Sequence, residues 1–261
     1  MKKTLLIIDP QNDFCEKNET DISTNRPALS VPGSGADMRN IINFIKNNEL
    51  DEIVVTLDTH SIIDIAHPMW WKKKNGDYTE IFTMISLEDI EKGIYTTSNP
   101  EHFEYSKNYI KSLEEQGKYK LIIWPEHCIQ GTWGHNIYSE LMEEIIKWSR
   151  KNNKNAQFFY KGTNEKTEHY SALKAEIVLD KNTDLNEDLL KILVNSDKLY
   201  VCGEALSHCV ASTVKDLINN SDKDFHKNIF LLKNCTSSVA GFEKYGDDFI
   251  NYLKEKGSHV I

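Results

Sequence analysis

The sequence is sparing in cysteine and proline, poor in positive charge relative to negative, and without a long apolar run. Each shortage excludes something. Only 5 cysteines occur among 261 residues (Cys15, Cys128, Cys202, Cys209, Cys235), odd in number and with no CxxC pair. A reduced compartment, the cytoplasm, is therefore expected. The formal net charge is −9, which argues against nucleic acid or an anionic membrane as partner, because binding phosphate requires a cationic surface. No stretch approaches the ~20 apolar residues of a membrane span. The opening MKKTLLII imitates a secretory leader, but its apolar run stops at Asp9, short of the roughly 7–15 residues such a leader needs. No proline- or serine-rich tract interrupts the chain. With 39% hydrophobic and 27% charged residues, the composition is that of a soluble globular protein. The length suits one large α/β domain over residues 1–261.

What is present is an alternation. Short aliphatic runs at 4–9, 53–57, 119–124, 157–160, 198–202 and 228–232 read as buried strands. Helical spacing recurs between them, at 36–48 with Ser34 as its cap, and at about 136–150, 186–194, 209–219 and 241–255. Strands and helices in turn predict a mainly parallel central sheet with helices on both faces, a three-layer α-β-α architecture. Residues 72–118 break the rhythm with a polar stretch and a helix around 103–115. They read as an insertion covering one end of the sheet.

In open α/β sheets, ligands bind beyond the carboxyl ends of the strands. Five predicted strands run into a chemically loaded residue there: Asp9, Asp58, Trp124, Lys161 and the turn 203–209. Cys209 follows a strand and opens a helical pattern, and a helix N-terminus lowers a thiol pKa. The alternative is a buried structural cysteine. Asp9 and Lys161 bear on this only if they converge on Cys209, as proton acceptor and as cation; each alone is an ordinary strand-end or solvated residue. Asp58-x-His60 places two donors on one side of an extended segment, with His67 and His127 further on. Zinc or iron would suit such mixed nitrogen and oxygen ligands.

Seven segments occur together: LLIIDPQNDF (5–14), DTH (58–60), DIAHP (64–68), WPEHCIQGTWG (124–134), FYKG (159–162), YSAL (170–173) and GEALSHCV (203–210). In this order they resemble the isochorismatase-like cysteine hydrolases, and within them the nicotinamidases, across nearly the whole chain except the insertion. The resemblance implies an Asp9–Lys161–Cys209 triad and an oxyanion site made by the backbone N–H groups of Ala205 and Cys209, with Glu204-Ala205 at the position of a cis peptide. It implies one divalent metal ion, zinc with iron or manganese as alternatives, on Asp58, His60 and His127, with His67 as a fourth candidate. Phe14 and Trp124 match residues that enclose a pyridine ring. Three departures stand out: the length of the insertion; the spacing from His60 to His67, which varies among relatives; and Glu204, Leu206 and Ser207, where many relatives carry a small or apolar residue followed by Thr-Asp. The activity implied is hydrolysis of nicotinamide through a thioester. The rivals are another small amide, such as an N-carbamoyl compound, on the same triad, or an inactive binding homologue. The partner expected is a small-molecule amide, and a homo-oligomer is carried over from the family.

Overall fold

A computed structural model describes residues 1–17, 24–117 and 119–261. Numbered in chain order, its strands are β1 (Lys3–Ile8), β2 (Glu52–Asp58), β3 (Trp71–Lys73), β4 (Met84–Ile85), β5 (Tyr95–Thr97), β6 (Leu121–Ile122), β7 (Gln157–Lys161), β8 (Lys198–Gly203), β9 (Ile229–Leu231) and β10 (His259–Val260). The helices are α1 (Ser34–Asn47), α2 (Leu87–Glu91), α3 (Phe103–Glu115), α4 (Ser139–Asn152), α5 (Glu187–Val194), α6 (Ala211–Asn219) and α7 (Glu243–Lys256). Six strands form one sheet in the order β10-β9-β8-β1-β2-β7, and every neighbouring pair in it is parallel.

A parallel sheet must be covered on both faces, because helical crossovers lie on each. The alternation along β1 shows how. Leu6 and Ile8 join the apolar cluster beneath α5, α6 and α7, with Val54, Leu199, Val201, Leu217 and Phe249. Leu5 and Ile7 join the opposite cluster beneath α1 and α4, with Ile53, Val55, Met38, Ile41, Leu141 and Trp148. All four β1 side chains are inaccessible to solvent, each contributing roughly 1.5–3 kcal/mol by burial. The three-layer α-β-α architecture follows from that period of two.

Two expectations need correction. The apolar run at 119–124 does not enter the main sheet; β6 pairs antiparallel with β4 in a separate two-stranded sheet. Trp124 therefore reaches the site from a loop, not from a sheet strand. The short β10 at the sheet edge went unread. The N-cap of α1 is Gly33, not Ser34; the Ser34 hydroxyl instead donates to Val31 O at 2.6 Å and accepts from Glu16 N at 2.7 Å. The insertion supplies β4, β5, α2 and α3, whose Ile85, Tyr109, Ile110 and Leu113 pack in one apolar cluster with Trp70 and Trp71 just before it. Position 118, its predicted end, lies outside the described residues. Among those described, no helix is long and apolar enough to cross a membrane.

Candidate active site

Strand register brings the first group together. Asp58 and Lys161 are partners in the β2–β7 pairing, and Asp9 follows Ile8, whose partner in β8 is Gly203. Gly203 permits that close approach: its φ is 108°, and a Cβ there would lie 2.0 Å from Ile8 O. Beyond Gly203 the chain passes through the cis Glu204-Ala205 peptide into a wide, π-helical turn, Leu206–Val210, that leads into α6. Cys209 lies in this turn.

Lys161 is the hub. Its Nζ sits 3.0 Å from Asp9 Oδ2 and 2.9 Å from Asp58 Oδ1, donates to His169 O at 2.9 Å, and lies 3.6 Å from Cys209 Sγ. The ammonium donates to His169 O and toward Cys209 Sγ, and the two carboxyls flank it as ion pairs. Burial works against the charge on Lys161, but Asp58, Asp9 and Cys209 outweigh it and hold the pKa well above the ordinary lysine value. Lys161 is a cation. Asp58 is its settled anion: burial opposes ionisation, yet His60 and Lys161 hold the carboxyl well below its usual range. Asp9 differs, because burial raises its pKa against the pull of Lys161. Its other oxygen accepts from the Thr56 hydroxyl at 2.6 Å. Burial also pushes the Cys209 thiol well up, only partly opposed by Lys161, and Asp9 is its hydrogen-bond neighbour. The lowered pKa expected from the helix N-terminus is overridden by burial, so Cys209 rests as a thiol beside Asp9.

The second group is built from loops. One ligating atom from each of the buried His60, His67 and His127 lies within 4.8 Å of the other two. Asp58 Oδ2 approaches His60 Nε2 at 3.1 Å and His127 Nε2 at 3.4 Å. Donors about 2.1 Å from one ion stand roughly 3.0–3.4 Å apart, so Asp58, His60 and His127 have the spacing of a shared coordination shell. The outer nitrogens are held as such ligands require: His60 Nδ1 faces Asp64 Oδ2 at 3.0 Å, and His127 Nδ1 donates to Pro125 O at 2.8 Å. Burial and the two neighbouring histidines depress the His67 pKa to about 2, leaving a neutral imidazole with a free lone pair. Three nitrogens and a carboxylate oxygen fit a divalent cation.

A pocket joins the two groups. Its walls include Phe14, Trp124, Asp58, His127, Ala205 and Cys209, all predicted. Glu168, Tyr170 and His208 also line it and were not singled out. Tyr170 is in the segment YSAL, where its hydroxyl accepts from Trp124 Nε1 at 3.0 Å. Glu204 does not reach the pocket; its carboxyl turns toward Asp37 and Ser237 on the α1 side. The segment after Asp9 clamps backbone. Gln11 Nε2 donates to Asp58 O and its Oε1 accepts from Asp58 N, both at 2.7 Å. Asp13 Oδ2 accepts from Cys128 N at 2.7 Å, holding the loop that carries His127.

The chain has an α/β fold of isochorismatase-like architecture. Its relatives are nicotinamidases: the Saccharomyces cerevisiae enzyme is 27% identical over 213 residues, covering 81% of this chain and 79% of its own. The solved structure of the yeast nicotinamidase Pnc1p matches 99% of both chains with a TM-score of 0.66 at 23% identity. A pyrazinamidase from Pyrococcus horikoshii in complex with zinc covers 100% of this chain and 99% of its own, with a TM-score of 0.56 at 19% identity. No family model matches the chain.

Proposed function

We propose that this chain is a metal-dependent cysteine amidohydrolase that converts nicotinamide to nicotinate and ammonia. The observation that carries this reading is the Lys161 ammonium, 3.0 Å from Asp9, 2.9 Å from Asp58 and 3.6 Å from Cys209, beside a pocket lined by Cys209, Asp58 and His127. Nicotinamidase relatives support the substrate.

Asp9, a carboxylate made more basic by burial, takes the proton from Cys209 as sulfur attacks the amide carbonyl. The developing oxyanion lies against the N–H groups of Ala205 and Cys209. Asp9 returns the proton to the leaving nitrogen, ammonia departs and a thioester remains. Water, deprotonated by Asp9, then attacks the thioester; nicotinate leaves and the thiol is restored. Lys161 stays protonated throughout and compensates the changing charge on Asp9. Phe14 and Trp124 enclose the ring. Asp58, His60, His127 and His67 would hold a divalent ion, which would supply an anchor for a ring nitrogen and so help orient the amide. The zinc complex of the archaeal pyrazinamidase supports zinc there, with iron or manganese as alternatives.

The test is ammonia release from nicotinamide, pyrazinamide, benzamide and an N-carbamoyl amino acid. Benzamide keeps the ring and the amide but lacks the nitrogen. It should fall behind nicotinamide by about a hundredfold or more in kcat/KM, because a site built to hold a polar group rejects the analogue without it. Equal values would remove ring-nitrogen recognition, and preference for the carbamoyl compound would overturn the substrate.

A further inference from the structure

Behind the pocket, on the α1 side of the sheet, lies an acidic pair that the chemistry above leaves unused. Glu204 is wholly inaccessible to solvent, and its carboxyl faces that of Asp37, itself 5% exposed. Two adjacent buried carboxyls cannot both ionise. Burial, followed by the Asp37 charge, pushes the Glu204 pKa well up. The other titratable groups facing it are Glu16, Cys15, Cys202 and Cys235, anionic or neutral. A lone carboxyl here would be a liability; a paired one can act as a fastener.

Ser237 shows what is fastened. Its backbone N–H donates to Glu204 Oε2 at 3.4 Å, and its carbonyl accepts from Leu206 N at 2.8 Å. Its hydroxyl donates to Asp37 Oδ2 at 2.5 Å. The residues on both sides of Ala205 are thus tied to one serine, which is tied in turn to α1. The contact is close: at Gly33, with φ 95°, a Cβ would meet Ser237 Oγ at 2.8 Å.

We propose that Glu204, Asp37 and Ser237 form a clamp that positions the Ala205 N–H of the oxyanion site. The clamp rests on the amidohydrolase reading and extends it to residues that never touch substrate. An N–H displaced by a fraction of an ångström still permits binding but stabilises the oxyanion less, so loss of the clamp should lower kcat and spare KM.

Turnover is measured on nicotinamide and on 4-nitrophenyl acetate, an activated ester whose acyl oxygen needs the same N–H groups. Glu204→Leu should lower kcat roughly ten- to a hundredfold on both, with KM within about twofold. Glu204→Gln, whose amide can donate to Asp37 and accept from Ser237, should stay within about threefold of wild type. Ser237→Ala is a small change at a half-buried site; it should lower kcat several-fold with Tm unchanged, and it decides the matter if the leucine variant does not fold. Wild-type kcat in both Glu204→Leu and Ser237→Ala would overturn the clamp. So would a glutamine variant as damaged as the leucine one. A wild-type protein inert toward nicotinamide, but showing this variant order on the ester, would sink the substrate and support the clamp.

Discussion

The triad and the imidazole cluster share one pocket but are held by different means. Asp9, Asp58 and Lys161 are placed by the register of parallel strands, with two carboxyls flanking one ammonium. The three histidines stand on loops, kept together by loop-to-loop bonds such as His60 N to Cys128 O at 3.0 Å and Trp124 N to Ala66 O at 2.8 Å. Their donor set is rich in nitrogen and has one shared carboxylate. Asp58 belongs to both, with Oδ1 on Lys161 and Oδ2 toward the histidines. The difference teaches that one group carries its own cation, Lys161, whereas the imidazole group has only donors and is arranged as a divalent cation would need them. Damage to one should leave the other recognisable.

The largest effect that separates them is at the nucleophile. Cys209→Ala should lower nicotinamide turnover by more than about a thousandfold while bound metal, measured by atomic emission, stays at the wild-type level. Activity within about tenfold of wild type would remove Cys209 from the chemistry.

The converse is His127→Ala. Losing one imidazole of the shell should cut metal content and lower kcat/KM for nicotinamide by about 10- to 100-fold. Cys209 should still react with iodoacetamide, since Lys161 and Asp9 are untouched. Full metal occupancy in this variant would place the ion elsewhere. Asp58→Ala, by contrast, should damage both groups, because it strips an anion from Lys161 as well as an oxygen from the shell.

These contrasts also show which parts of the molecule could be read from sequence. The aliphatic runs that become β1, β2, β7 and β8 are visible because burial on both faces demands them, and Asp9, Asp58 and Lys161 are conspicuous as the polar residues that end such runs. The run 119–124 has the same composition, so nothing local distinguishes β6, paired with β4 of the insertion, from a strand of the main sheet. His60, His67 and His127 come together through loops, and no periodicity reports that; only the combined segments pointed to them. Glu168, Tyr170 and His208 line the pocket through tertiary packing, and only membership in familiar segments could have flagged the last two. The thiol pKa was misjudged because a helix N-terminus is legible in sequence and burial among carboxyls is not.

The smallest effect expected is in how Cys209 titrates. Burial and the Asp9 charge raise its pKa above the ordinary value, and Lys161 offsets this only in part. The thiolate fraction at neutral pH is therefore small and grows as pH rises. Alkylation by iodoacetamide should climb steadily from pH 6 to about pH 9, nearly tenfold per unit, with no plateau below the ordinary thiol pKa of about 8.5. A rate that is flat between pH 6 and 8 would mean a preformed thiolate and would take the base role away from Asp9. In His127→Ala the same profile should recur with only a slight displacement. Its upward direction follows from the loss of a nearby cation, which otherwise favours the anionic sulfur. The displacement stays small because the nearest positive charge, Lys161 Nζ at 3.6 Å, is held by strand register and not by the loops. A shift as large as that produced by removing Lys161 itself would show that the two groups act as one electrostatic unit, with Asp58 as the conductor between them.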